Sequence, residues 1–266
     1  MSKKVAIIIP FYKDGLLHTE SVSLQQCFKV LGSHDIIAIK PESLGLPAEI
    51  IQYPFYKITA FQDEFFAGLQ GYNRLMLSAG FYNAFIDYDY ILIYQLDAFV
   101  FKDDLLYWCN EGFDYIGAPW IGPKFPNVFR SVKIRLQLYY YTRFNIQFKG
   151  LPSLKQVKYK VGNGGFSLRR TEIFSALCTE MADKITEYNK RDSYLFNEDV
   201  FWSVEVNRKH KILKIPEYQK ALEFSFELHP KTALQINNNR LPFGCHDWDM
   251  KIEFWRPIFI DAGYNI

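Results

Sequence analysis

The chain has 266 residues, about half of them apolar, with 24 Phe, 18 Tyr and 5 Trp and a formal net charge of +2. That balance excludes a disordered chain and carries no polyelectrolyte footprint, so nucleic acid is not an expected partner. Four widely spaced cysteines, Cys27, Cys109, Cys178 and Cys245, form neither zinc-type pairs nor a disulfide framework and read as reduced thiols.

Val5-Ala6-Ile7-Ile8-Ile9 is an apolar run closed by Pro10. It is too short for a signal-peptide core or a membrane span, so the expected chain is cytoplasmic and has no transmembrane segment. The run reads as a buried first strand opening into a loop that begins Phe11-Tyr12, and ligands of open α/β sheets collect at such strand ends. Helical spacing over 16–31 ends at Gly32, and a second strand over 34–39 completes a βαβ unit. A short third strand is expected over 50–53, a helix over 73–85, and strands over 90–96 and 115–120.

Periodicity weakens over 121–160, a Pro-, Lys- and Tyr-rich stretch of the kind that forms a functional flap. Its basic aromatic part, 125–160, is read either as a solvated loop or as a surface that rests peripherally on a membrane. The last third carries a Gly-rich strand, a helix over 171–180, the pair Glu198-Asp199, a strand over 212–215 and a tail containing His246. No linker divides the chain, which is expected to form a single domain.

Asp97 follows the apolar run Ile91-Leu92-Ile93-Tyr94-Gln95-Leu96, which brings a carboxylate to a sheet end. There it is read either as a ligand for a divalent cation or as a helix cap. Gly162, Asn163, Gly164 and Gly165 let the backbone take positive φ or approach a ligand closely. Glu198 and Asp199 point about 100° apart on a helix, so only one of them is expected to face a site; both also suit the first turn of a helix capped by Asn197. His246 is a candidate metal ligand or phosphate contact. Arg74 has the fork geometry that suits phosphate.

The segments Tyr72-Asn73-Arg74-Leu75-Met76, Gln95-Leu96-Asp97-Ala98-Phe99, Asp114-Tyr115-Ile116-Gly117-Ala118-Pro119-Trp120, Gly162-Asn163-Gly164-Gly165-Phe166-Ser167 and Asn197-Glu198-Asp199-Val200-Phe201-Trp202 resemble the DUF5672 family of largely bacterial proteins. Their order is also similar to that of GT-A glycosyltransferases. The resemblance implies an α/β, Rossmann-like fold with a mixed, mostly parallel sheet flanked by helices. It also implies a donor half over about 1–120, a flap over about 121–160 and an acceptor half over about 161–266.

By the same resemblance, Pro10, Phe11, Tyr12, Arg74, Gln95 and Asp97 bind the nucleotide-sugar donor, and Asn163, Gly164, Gly165 and Trp202 the acceptor, a glycan or a lipid-linked sugar. Asp199 would be the base of an inverting reaction, with Glu198 orienting the acceptor or the backbone. The usual Asp-x-Asp metal motif is reduced here to Asp97-Ala98-Phe99. A divalent cation, Mn²⁺ or Mg²⁺, would therefore rest on Asp97 and His246, or be replaced by Lys and Arg. A sugar-nucleotide hydrolase, a nucleotidyltransferase and a non-catalytic carbohydrate-binding protein are the alternatives.

Overall fold

The computed structural model describes residues 3–122 and 128–266. Its strands are β1 (Val5–Pro10), β2 (Asp35–Pro41), β3 (Lys57–Phe61), β4 (Tyr90–Tyr94), β5 (Phe99–Val100), β6 (Tyr115–Ile116), β7 (Gln147–Phe148), β8 (Leu151–Pro152), β9 (Phe166–Arg170), β10 (Ser225–Phe226) and β11 (Gly244–Cys245). Six of them form one sheet in the order β3-β2-β1-β4-β9-β6. β1 pairs in parallel with β2 and β4, and β2 with β3, whereas β9 runs antiparallel to both β4 and β6. The sheet is mixed and mostly parallel, and helices flank it, as expected.

Every residue of β1 is buried. Ile7 and Ile9 pack with Leu24, Cys27 and Leu31 of the helix His18–Leu31, while Ala6 and Ile8 pack with Leu75, Phe81 and Phe85 on the opposite face. Burying one such side chain contributes about 1.5–3 kcal/mol, so a continuous apolar strand is stable only between two covering layers.

Several expected elements differ. Residues 50–53 are not a strand: after Pro47 the chain turns into the short helix Ala48–Ile51, and the third strand is β3, a half-exposed edge with little apolar signature. The helix over 73–85 is two helices, Gly68–Met76 and Ala79–Asn83, broken where the Ser78 hydroxyl accepts from Phe81 N at 3.2 Å and caps the second. Residues 212–215 form no strand; Lys214 N instead donates to Asp114 Oδ2 at 2.7 Å. The irregular flap contains a 16-residue helix, Val128–Arg143, followed by the β7-β8 hairpin, and its part over 123–127 lies outside the described residues.

A small second sheet, β10-β11-β5, sets the site. Its register puts Cys245 beside both Phe99 and Phe226. Asp97, Glu227 and His246 therefore lie at the ends of these three strands and meet, although they are up to 149 residues apart in the chain.

Candidate active site

The carboxyl ends of β1 and β4 open into a cavity of about 290 Å³ whose lining includes Pro10, Phe11, Tyr12, Gln95, Leu96 and Asp97. A second cavity of about 300 Å³ shares Pro10, Tyr12 and Gln95 and adds Phe66, Leu69 and Tyr72. Together they have the size of a small-molecule site. Phe11 is buried and packs edge-on against Phe55, whereas the Tyr12 ring is largely exposed.

At the edge of the first cavity Asp97 Oδ1 lies 3.0 Å from His246 Nε2. Gln95 Oε1 is 3.2 Å from the same nitrogen, and Glu227 Oε1 and Asn163 Nδ2 stand 3.6 Å and 3.0 Å from Nδ1. Burial works against a charged imidazole, but Asp97 and Glu227 outweigh it and hold the His246 pKa well above the usual value. Burial likewise opposes ionisation of Asp97, yet His246 keeps its carboxyl below the ordinary range. Asp97 caps no helix; the next one, Leu105–Asn110, follows Asp104, and Leu105 N donates to Asp103 Oδ1 at 3.2 Å.

Among the described residues no group of three or more His, Cys, Asp or Glu side chains is arranged to hold a metal ion. The two-residue set fits one only where the ion displaces the proton that Asp97 and Glu227 hold on His246. Ligand atoms 3.0 Å apart match adjacent corners of an octahedron with bonds of about 2.1 Å, and Mg²⁺-type sites complete their shell with substrate phosphates and water.

Asn163, rather than any glycine beside it, takes the left-handed conformation, with φ 70°. The glycines serve close approach. A Cβ on Gly164 would overlap Glu198 Oε1, and one on Gly165 would overlap His246 Nε2 and Gln95 Oε1. These two residues are thus the seam between the Asp97-His246 cluster and the Glu198-Asp199 segment. Gly165→Ala is expected to displace His246 and lower stability by about 1–3 kcal/mol, measurable by chemical denaturation.

Glu198 opens a helical segment whose later turn, Phe201–Glu205, is π-helical. Asn197 precedes it without a side-chain cap; Asn73 Oδ1 instead accepts from Glu198 N at 3.1 Å, while Asn73 Nδ2 donates to Asn197 Oδ1. Glu198 is buried in an ion pair with Arg169, Nη2 to Oε1 2.9 Å. Arg169 also donates to Tyr82 Oη, Ser167 Oγ and the Gly164 carbonyl, so the pair fixes the backbone at the glycine seam. Asp199 remains partly exposed. Burial, then the charges of Glu198 and Glu227, push its carboxyl up to about 7. The Oε2 atoms of Glu198 and Glu227 are buried without a hydrogen-bond partner among the described residues.

Two candidates lie elsewhere. Trp202 is fully buried against Phe174 and Tyr82, a core residue and not an acceptor wall. Arg74 sits in the last turn of its helix, donates to the Glu64 carbonyl at 3.1 Å, and lines neither cavity. Sequence reasoning missed Glu227 and Arg169. The signal for Arg169 is its position in a strand covered on both faces, where a buried guanidinium requires an acid; Glu227 carries none beyond its place one residue after a short strand.

The fold is that of GT-A glycosyltransferases. The galactosyltransferase LgtC, solved in complex with donor and acceptor sugar analogues, matches at a TM-score of 0.52 and 14% identity over 91% of this chain and 86% of that one. Mouse xyloside xylosyltransferase 1, in its apo form, matches at 0.50 and 10% identity over 91% and 97%. No curated protein sequence matches the chain. The profile of DUF5672, described as a protein of unknown function, matches residues 55–246, and the chain belongs to that family.

Proposed function

We propose that the protein transfers a sugar from a nucleotide-diphosphate sugar to a hydroxyl of a glycan or lipid-linked acceptor, with inversion at the anomeric carbon. The observation that carries this reading is the convergence of Pro10, Phe11, Tyr12, Gln95 and Asp97 on one cavity at the ends of β1 and β4, in a fold shared with glycosyltransferases. The exposed Tyr12 ring offers a face to the base, and Asp97 and His246 take the diphosphate end. The same two residues would hold Mn²⁺ or Mg²⁺, which when bound supplies charge to neutralise the leaving diphosphate.

Asp199 is the base. The acceptor hydroxyl gives its proton to the Asp199 carboxylate as its oxygen bonds to the anomeric carbon, and the bond from that carbon to the diphosphate breaks. A carboxyl pushed up to about 7 supports this role, because a base works best with a pKa near the working pH.

The test is a thermal-shift screen across UDP-, GDP-, CMP- and dTDP-sugars with and without Mn²⁺, followed by product analysis. A donor at a hundred times its Kd stabilises the native state by about 2.7 kcal/mol. Loss of that shift on chelation assigns the ion, while undiminished shift and turnover exclude an obligatory one. No shift with any nucleotide sugar, together with a shift on free glycans, would point to a binding protein. Release of free sugar or pyrophosphate would point to hydrolysis or nucleotidyl transfer.

A further inference from the structure

The helix Val128–Arg143 has an inverted arrangement. Leu138 and Thr142 are buried against the body, yet Val132, Leu136, Tyr139, Tyr140 and Phe144 are exposed, with Leu136 and Tyr139 each at 64%. Their spacing, four, three, one and four residues, is that of a single helical stripe. The stripe continues onto the hairpin. Tyr140 lies tilted against Phe144 at 4.9 Å between ring centres, Tyr140 meets Tyr141 at 6.3 Å, and Tyr141 meets Phe148 at 6.4 Å. Phe148, Leu151 and Leu154 are exposed beside them. Isolated exposed apolar residues are ordinary, but a contiguous patch of this extent marks an interaction surface.

Charge selects the partner. Over 132–160 the sequence has seven Lys and Arg residues and no Asp or Glu. The rest of the chain holds 24 basic and 29 acidic residues, so its net charge is −5 against +7 for this segment. Lys133 and Arg135 flank the stripe on the helix, and Lys149 stands at the tip of the hairpin; all three are exposed. Aromatic and aliphatic side chains rimmed by cations match an anionic bilayer, whose interface takes rings and alkyl groups while its headgroups attract the charges.

We propose that this face, the exposed side of the helix over 132–143 together with the β7-β8 hairpin, docks the protein on the surface of an anionic lipid bilayer. No helix among the described residues is long and apolar enough to cross a membrane, so the contact is peripheral. It is also coupled to the site. Arg208 donates to the Thr142 carbonyl and Gln156 Oε1 and pairs with Glu205, which ends the helical segment that carries Asp199. The basic stretch over 132–160 itself ends at Lys160 and passes through Val161 into the glycine seam. Docking thereby holds the acceptor side of the site near the membrane, where a lipid-linked sugar is presented. That last step alone rests on the transferase reading; the docking does not.

The experiment is co-sedimentation of the full chain with phosphatidylcholine vesicles, with and without phosphatidylglycerol, in the absence of donor and acceptor. Anionic vesicles should bind at least about tenfold more tightly, and raised salt should weaken the binding. The variants K133E/R135E and L136D/F148D should each lose at least about tenfold, with unchanged melting temperature and unchanged thermal shift by nucleotide sugars. Equal binding to both kinds of vesicle, or binding indifferent to these substitutions, overturns the proposal. So does a dimer without lipid that L136D/F148D dissociates, since the face would then meet a second copy. Failure of the nucleotide-sugar screen leaves the vesicle result intact, which keeps the two readings separable.

Discussion

Asp199→Asn should lower the rate of sugar transfer by about 10²–10⁴-fold, the usual contribution of a positioned base, while nucleotide-sugar binding survives. The substitution is nearly isosteric, and the bond from Val200 N to Asp199 Oδ1 at 2.8 Å can be kept by an amide oxygen. Its second expected effect is a gain in stability. The carboxyl has a pKa of about 7 in the folded chain against an ordinary 3.8, so the folded state binds the proton more tightly. Ionisation therefore costs stability that is absent below the ordinary value, grows as pH rises, and is fully felt above about 7. Asparagine removes that cost. The variant should be more stable to unfolding than the parent at pH 8, by about 2 kcal/mol after allowance for partial exposure, with no advantage near pH 4. A variant that is inactive but melts alike at both pH values would mean that Asp199 is not held in this strained ionisation, and full turnover would remove it as the base.

In the parent, kcat/KM should rise with pH along a limb centred near 7, because only the ionised carboxylate accepts the proton. Glu227 is one of the charges that hold the pKa up, so Glu227→Gln should move the limb toward acid.

The parts of the fold legible in the sequence are those that burial forces into an unbroken or strictly periodic pattern. β1, covered on both faces, has no polar position at all, and the helix Thr171–Glu180 buries one face through Phe174, Leu177 and Cys178. β3 was not legible because an edge strand leaves its outer positions to solvent, and Lys57-Ile58-Thr59 reads as loop. The helix Val128–Arg143 was hidden for the opposite reason: apolar residues on its outer face blur the contrast between inside and outside on which periodicity depends. Within the site, the spacing of Asp97, Glu227 and His246 carries no information, since a two-residue pairing of β11 with both β5 and β10 brings them together. Asp97 was legible from its place after an apolar run and His246 as an imidazole able to ligate a metal or contact phosphate, but only the resemblance paired them, and Glu227, in no motif, was not reached.

Arg169→Met is the substitution expected to cost the most stability, about 3–5 kcal/mol, the effect of leaving one partner of a buried ion pair uncompensated. Arg169 is fully buried, and its guanidinium meets Glu198, Tyr82, Ser167 and the Gly164 carbonyl. Lysine would not rescue it, because a single ammonium cannot serve a planar fork of four partners. The double variant R169M/E198M should regain much of the loss, since two apolar side chains leave no orphaned charge. Arg169 also has an electrostatic reach that a purely structural residue lacks: its charge lowers the Asp199 pKa against the larger effects of burial, Glu198 and Glu227. In Arg169→Met the acid limb of kcat/KM should therefore move to higher pH, opposite to its shift in Glu227→Gln. If denaturation confirms the lost stability while the limb stays where it is, Arg169 supports the glycine seam but does not tune the base.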